Sequence, residues 1–102
     1  MTEVRLELNQ LRESIDARDL ELVRVLASRF ELTRRVGELK AEHDLPPKDP
    51  IREAEHLAYL RRIAEETRLD PEFVTAIFNA VMAQAVREHQ QLRQQSDFKA
   101  EV

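Results

Sequence analysis

Two basic side chains are the residues of this sequence best placed to do chemistry. Arg29 and Lys40 are eleven residues apart. On one helix that is three turns, so both would point the same way with Cα atoms about 16 Å apart. They lie among apolar residues, where a lone cation is costly unless an anion meets it. The pair therefore predicts a site for a small anionic molecule, gripped from both ends.

A third cation, Arg12, cannot reach the same molecule from the same helix. It precedes Arg29 by seventeen residues, which is about 26 Å and roughly a quarter turn around the axis. If Arg12 serves an equivalent site, that site belongs to another copy of the chain.

A long amphipathic helix is predicted to carry these cations. Residues 6–42 contain no proline and a single glycine, and a helix of this span is about 55 Å long. The remaining two segments of the chain are too short to cover it, so we expect another chain to bury part of its apolar stripe. The stripe consists of Leu8, Leu11, Ile15, Leu22, Val25, Leu26, Val36 and Leu39.

Two more helices are predicted from a repeated start signal. Asp49-Pro50 and Asp70-Pro71 each place an aspartate cap before a proline at the first helical position. We expect the second helix to fade at residues 67–69. Its predicted inner face is Ile51, Ala54, Leu57, Ala58 and Ala64. The third helix has a strong core stripe, Phe73, Val74, Ile77, Phe78, Val81, Met82, Ala85 and Val86.

The predicted fold is all-α, with three helices per chain, a very long N-terminal helix and an intertwined homodimer. We expect a single domain over residues 1–102, with its core at about 5–92 and a frayed polar tail over 93–102.

Composition narrows the function. A net charge of −4 argues against a general nucleic-acid surface, and no apolar run approaches the roughly 20 residues of a membrane span. The chain has no cysteine, and its N-terminus lacks the pattern of a secretory signal, so we expect a cytoplasmic protein. We find no metal-ligand spacing and no hydrolytic triad. Three scattered histidines are typical of structural roles.

The charged residues instead predict a cationic pocket in an apolar wall. Arg29, Lys40 and Arg52 would be joined by Glu53 and His89, with Arg12 supplied by a partner chain. Such a pocket suits a small polyanion and catalysis by positioning and fixed charge, without a covalent intermediate.

In these residues the sequence resembles the all-α chorismate mutases, over roughly residues 6–92. The matching segments are Leu11-Arg12-Glu13-x-Ile15-Asp16, Arg29-x-x-Leu32, Val36-Gly37-x-x-Lys40, Asp49-x-x-Arg52-Glu53, Leu69-Asp70-x-x-Phe73-Val74 and Ile77-Phe78. The resemblance implies conversion of chorismate to prephenate, in aromatic amino-acid biosynthesis, by a [3,3] rearrangement that uses no cofactor and no metal.

The resemblance also implies roles for the charged residues. Arg29 and the partner's Arg12 would clamp the substrate carboxylates. Lys40 would bind a carboxylate and the ether oxygen, which gains negative charge as its C–O bond breaks. Glu53 would accept a hydrogen bond from the ring hydroxyl, with Asp49 at the pocket mouth and Arg52 beside it. The apolar wall would be Val36, Met82 and Val86.

Two positions depart from the pattern of the enteric bacterial enzyme. His89 stands where that enzyme has a glutamine that donates to the ether oxygen, and an imidazole N–H can still donate. Ala85 stands where it has a serine that touches a carboxylate. Both are predicted site residues, and we expect loss of the serine to affect substrate affinity more than the type of reaction.

Other functions are compatible with the same residues. An isochorismate-pyruvate lyase would use the same arginines and lysine, although the D-x-x-R-E segment favours the mutase. A non-catalytic helical module for dimerisation or regulation would not turn over chorismate and would tolerate Lys40→Ala. A complex with another enzyme of the shikimate pathway is also compatible with the sequence.

Overall fold

The structure, a computed structural model, describes the backbone of residues 2–101 and the side chains of residues 2–94. It contains three helices, α1 (Thr2–Glu42), α2 (Pro50–Glu66) and α3 (Pro71–Glu101), and no strand in the described backbone. The all-α class and the long first helix are thereby confirmed. Over the described residues, none of these helices combines the length and apolar character needed to cross a membrane.

The chain divides into two compact units, Met1–Leu32 and Thr33–Val102. The first unit is helical over its described residues and belongs to α1. Only Arg29 and Phe30 are half-buried there, and every other described residue is exposed. Its exposed large apolar side chains are Val4, Leu6, Leu8, Leu11, Ile15, Leu20, Leu22, Val23, Val25, Leu26 and Leu32.

The second unit has a small core, in which α2 packs against α3. Its buried apolar residues are Ala64, Val74, Val81 and Ala85. At the edge of this core the ring of His56 meets that of Phe78 edge-on, with centroids 6.1 Å apart.

Several positions predicted to be core are exposed in the chain. Phe73 and Ile77 on α3 are exposed, and so are Ile51, Ala54 and Ala58 on α2. The prediction was wrong for these residues because each helix carries an apolar stripe wider than the surface along which α2 and α3 meet. The predicted inner residue Leu57 is half-buried and Ala64 is buried, as expected.

The starts of α2 and α3 confirm the predicted capping signals. The Oδ1 atom of Asp49 accepts a hydrogen bond from the backbone N–H of Arg52 at 3.2 Å. The Oδ1 atom of Asp70 accepts from that of Glu72 at 3.0 Å. In each case the side chain satisfies an N–H group that lacks a partner within the helix.

The ends of α1 and α2 share a feature that the sequence did not reveal. Asp44 and Arg68 have positive φ angles of 54° and 62°, and the N–H of the next residue reaches back five positions. Leu45 N–H donates to Lys40 O at 2.7 Å, and Leu69 N–H to Ala64 O at 2.8 Å. A left-handed residue closes a helix in this way, usually as glycine.

The third helix continues to Glu101, beyond Gln91, where the sequence favoured fraying. The expected fraying of residues 93–102 stays a prediction, and the side chains of 95–102 lie outside the described part of the chain.

Candidate active site

A cleft of about 370 Å³ lies in the second unit, between the start of α2 and one face of α3. Glu53, in the first turn of α2, is half-buried and contributes the one acidic side chain among its lining residues. Met82 and Val86 are four residues apart on α3, so they lie one above the other and form an apolar wall. The remaining lining residues are Lys48, Asn79, Ala83, Arg87 and Gln90. Three predicted site residues are therefore brought together.

Lys40 is placed at the end of α1, beside the loop that leads to α2. Its side chain is half-buried, and Nζ donates a hydrogen bond to the backbone carbonyl of Pro47 at 3.2 Å. A neutral carbonyl is a weaker partner for an ammonium group than a carboxylate is. An anionic ligand could therefore replace the Pro47 carbonyl as the hydrogen-bond acceptor of Lys40.

Asp49 and Arg52 occupy the beginning of α2, one turn apart, and both are exposed. Asp49 caps the helix through the hydrogen bond described above. The structural role of Asp49 is confirmed, and a role for either side chain at the pocket mouth stays a prediction.

His89 lies on α3 and is only 6% exposed. Its Nε2 atom is 2.9 Å from the backbone carbonyl oxygen of Thr33. Because a carbonyl oxygen only accepts, Nε2 carries a proton. The other ring nitrogen, Nδ1, is buried and has no hydrogen-bond partner among the described residues. A neutral ring then has a lone pair at Nδ1. Donation to a substrate oxygen requires a second ring proton or release of Thr33.

Gly37 makes room for this imidazole. A Cβ atom added at Gly37 would lie 2.4 Å from Cδ2 and 3.0 Å from Nε2 of His89. These distances are far below van der Waals contact, so a side chain at position 37 would displace the ring. The imidazole of His89 therefore occupies the space that a side chain at position 37 would need.

Two other predicted site residues, Ala85 and the wall residue Val36, have different environments. Ala85 is buried in the core of the second unit, and Val36 is exposed. Neither lines the cleft that contains Glu53. Their contact with a substrate stays a prediction.

Arg12 and Arg29 belong to the first unit. Arg29 is half-buried, whereas Arg12 is exposed and lines a shallow groove of about 370 Å³ along the helix with Val4, Arg5, Leu8 and Asn9. The groove combines guanidinium groups with aliphatic side chains.

Sequence reasoning missed Arg93, which lies in the predicted tail. Its guanidinium donates to the backbone carbonyl of Leu45 in the loop after α1, and Nη1 lies 3.4 Å from Oδ1 of Asp44. An isolated arginine in a polar segment gives no signal of such a contact, because the partners are distant in sequence.

Taken together, the fold and the site define an all-helical domain in which the half-buried Glu53 shares a cleft with the apolar side chains of Met82 and Val86 and with the cationic side chains of Lys48 and Arg87. The profile of the family described as "Chorismate mutase type II" matches residues 11–91. The chain belongs to this family, which confirms the resemblance seen in the sequence.

Individual relatives agree with this assignment. The chain is 39% identical over 79 residues to the T-protein of Enterobacter agglomerans, covering 78% of this chain and 21% of the relative. It is 30% identical over 80 residues to the 4-amino-4-deoxychorismate mutase of Streptomyces pristinaespiralis, covering 78% and 62%. It is 28% identical over 76 residues to the chorismate mutase of Methanocaldococcus jannaschii, covering 74% and 77%. The chain thus spans about a fifth of the length of the T-protein.

Proposed function

We propose that this chain converts chorismate to prephenate by a [3,3] rearrangement, without a cofactor, and that two copies share their active sites. The observation that carries the proposal is the cleft in which the half-buried carboxylate of Glu53 is joined by Met82 and Val86. A polar group at one end of an apolar wall suits a compact ring that carries a hydroxyl.

Lys40 is the residue best suited to stabilise the transition state. As the ether C–O bond breaks, the oxygen gains negative charge, and an ammonium group close to it stabilises this charge more than it stabilises the ground state. The present bond from Nζ to Pro47 O, at 3.2 Å, holds the side chain near the loop. Exchange of this neutral carbonyl for an anionic substrate would strengthen the interaction.

The first unit supports the proposed homodimer. Its many exposed leucine and valine side chains form an apolar surface of the kind that marks protein association sites. A second copy of the chain offers the same surface, and a two-fold dimer is the commonest way to bury a self-complementary patch. In this arrangement Arg12 of one chain would complete the site of the other, which the spacing from Arg29 along one helix does not allow within a chain.

Two accompanying expectations also belong to the proposal. The lack of cysteine supports a reducing, cytoplasmic compartment. A complex with another enzyme of the shikimate pathway remains compatible with the sequence and would be detected by co-purification.

The direct test is the loss of chorismate absorbance when purified protein is added. We expect prephenate to form and no pyruvate to be released, whereas pyruvate would identify the lyase. A parallel assay should use 4-amino-4-deoxychorismate, after which the Streptomyces relative is named. Faster turnover of that compound would identify it as the preferred substrate, while the type of reaction would still be a rearrangement. An absence of turnover with both compounds would refute the proposal.

A matched pair of variants tests the role of Lys40. Lys40→Ala should lower kcat by about 10²–10³, the usual cost of removing one preorganised group that stabilises transition-state charge. Arg35→Ala is the control, because Arg35 lies five residues away on α1 and its ion pairs among the described residues, with Glu38 and Glu42, are exposed. Equal activity of both variants would remove Lys40 from the mechanism.

A further inference from the structure

Arg93 makes a set of contacts between α3 and the end of α1. Its side chain is half-buried, and Nη2 donates to the carbonyl of Leu45 and, at 3.5 Å, to that of Lys40. Nη1 lies 3.4 Å from Oδ1 of Asp44, a side chain that is 97% exposed. The guanidinium therefore meets two backbone carbonyls and one peripheral carboxylate.

The backbone that Arg93 contacts belongs to the α1–α2 loop, residues 43–49, and to the last turn of α1. The two ends of the loop are already linked through Lys40, whose carbonyl accepts from Leu45 N–H and whose Nζ donates to Pro47 O. The loop then leads into Asp49, which caps the helix that carries Glu53. Any shift of this loop would thus move Lys40 and Glu53 together.

Arginine is well suited to hold such a loop. The last carbonyls of a helix lack partners within the helix and carry the negative end of its dipole, so a cation is favourable there. The planar guanidinium can donate to several acceptors at once, whereas a lysine would hold them through one flexible point charge. Arg93 is on the same helix as Met82 and Val86, which form the apolar side of the cleft.

We propose that Arg93 is a positioning residue for the rearrangement. It fixes the α1–α2 loop against α3, so that Lys40 and Glu53 are held in register with the wall formed by Met82 and Val86. This inference rests on the proposed function, and it assigns to Arg93 an effect on geometry without contact to the substrate.

Steady-state kinetics of Arg93→Ala test the proposal. We expect kcat/KM for chorismate to fall by about ten- to a hundredfold, with most of the loss in kcat, because small misplacements of catalytic groups are costly in the transition state. Arg93→Lys keeps the charge but loses the planar arrangement of guanidinium donors, so it should recover only part of the loss. Asp44→Asn should match the wild type, because Asp44 is almost fully exposed.

Arg61→Ala is the matched control for a purely structural loss. Arg61 also joins two helices, donating to Glu72 at 2.6 Å and to Thr75 at 3.0 Å. It lies outside the loop and the cleft. Arg61→Ala should lower the melting temperature and keep kcat/KM. If Arg93→Ala shows the same pattern, with a lower melting temperature and unchanged kcat/KM, the positioning role is overturned.

Hydrogen exchange provides a readout that is independent of activity. In Arg93→Ala the amide of Leu45 should exchange faster than in the wild type, while that of Leu69, at the end of α2, should not change. Unchanged exchange at Leu45 would show that Arg93 does not hold the α1–α2 loop in place. If the wild-type chain does not convert chorismate but Leu45 exchanges faster in Arg93→Ala, the proposed function is overturned. The role of Arg93 in holding the α1–α2 loop is then supported.

Discussion

The two units, residues 1–32 and residues 33–102, differ in how far their apolar side chains are buried. In the second unit, Ala64, Val74, Val81 and Ala85 are buried where α2 packs against α3. In the first unit none of the described residues is buried, and leucines and valines along α1 are exposed; Leu22 and Val25 are 61% and 65% exposed. Both units carry apolar residues at helical spacing, so periodicity alone does not explain the difference.

The contrast shows which part of the fold is complete in one chain. The second unit supplies its own packing and caps, and it holds Glu53 and Lys40. The first unit supplies Arg12 and Arg29 on a helix that exposes its apolar side chains. A helix of this kind is stabilised mostly by burial of its apolar face, since propensity contributes little. We therefore infer that the first unit depends on a second copy for both its stability and its function.

A charge placed in the apolar stripe of the first unit should have the largest effect. Leu22→Glu would bury an unpaired carboxylate in the proposed interface, which costs several kcal/mol. We expect monomers and a loss of activity of at least about a hundredfold. Sedimentation over a range of concentrations, together with the chorismate assay, measures both effects.

The control for this change is Arg24→Glu, two residues along the same helix. Because two residues turn a helix by about 200°, Arg24 points to nearly the opposite side from Leu22, so its charge reversal should leave the oligomeric state intact. If Leu22→Glu and Arg24→Glu sediment alike, the apolar surface of the first unit is not an interface.

Substitution of His89 tests whether its imidazole ring donates a hydrogen bond to the substrate. His89→Ala should lower kcat by about a hundredfold if the ring donates to the substrate, since one donor contributes about this much. His89→Gln should stay active, because its amide N–H can also donate. An alanine variant with wild-type kcat would restrict His89 to its structural bond with Thr33.

Gly37 offers a test of packing with a definite sign. An exposed Gly→Ala change inside a helix normally stabilises by about 1 kcal/mol. Here the added Cβ would lie 2.4 Å from His89 Cδ2, so Gly37→Ala should instead destabilise by about 1–3 kcal/mol. Urea unfolding measures the change.

The double variant supplies the control for this prediction. In a His89→Ala background the obstructing ring is absent, so Gly37→Ala should become neutral or stabilising. Destabilisation of equal size in both backgrounds would show that the ring is not the cause.

The smallest expected effect concerns the ion pair between α2 and α3. The hydrogen bond from Arg61, followed by the attraction of its charge, lowers the pKa of Glu72 from the usual 4.5. The pair therefore stabilises the fold above about pH 4.5, and this contribution is lost as the pH falls through the lower folded-state value. Glu72→Gln should melt slightly below the wild type at pH 7, and the difference between the two melting temperatures should vanish once the pH is below the folded-state pKa of Glu72. A gap independent of pH would contradict the assignment.

Local signals predicted much of this fold. Asp49 and Asp70 caps gave the helix starts, and the long pattern without proline gave α1. The positive φ angles at Asp44 and Arg68 were not predictable, because these positions are usually glycine. The exposure of Phe73 and Ile77 was missed because an apolar stripe does not reveal how wide its covering partner is.

The candidate site was predicted in part. Glu53, Met82 and Val86 meet around one cleft, as the resemblance implied. His89 and its hydrogen-bond partner Thr33 are 56 positions apart in the sequence. Arg93 and its partner Leu45 are about 50 positions apart. No local pattern encodes such pairs. Arg12 lies in the first unit, and its predicted role in the site of a second chain is tested by combining two variants in one dimer.

Mixed dimers provide the most direct test of the shared site. Inactive Arg12→Ala chains and inactive Arg29→Ala chains are combined and allowed to exchange, and subunit exchange is verified separately. In a two-fold dimer each mixed pair regains one intact site, so random exchange should restore about a quarter of wild-type chorismate turnover. Complete exchange without any recovery would contradict the account, because each site would then be built from a single chain.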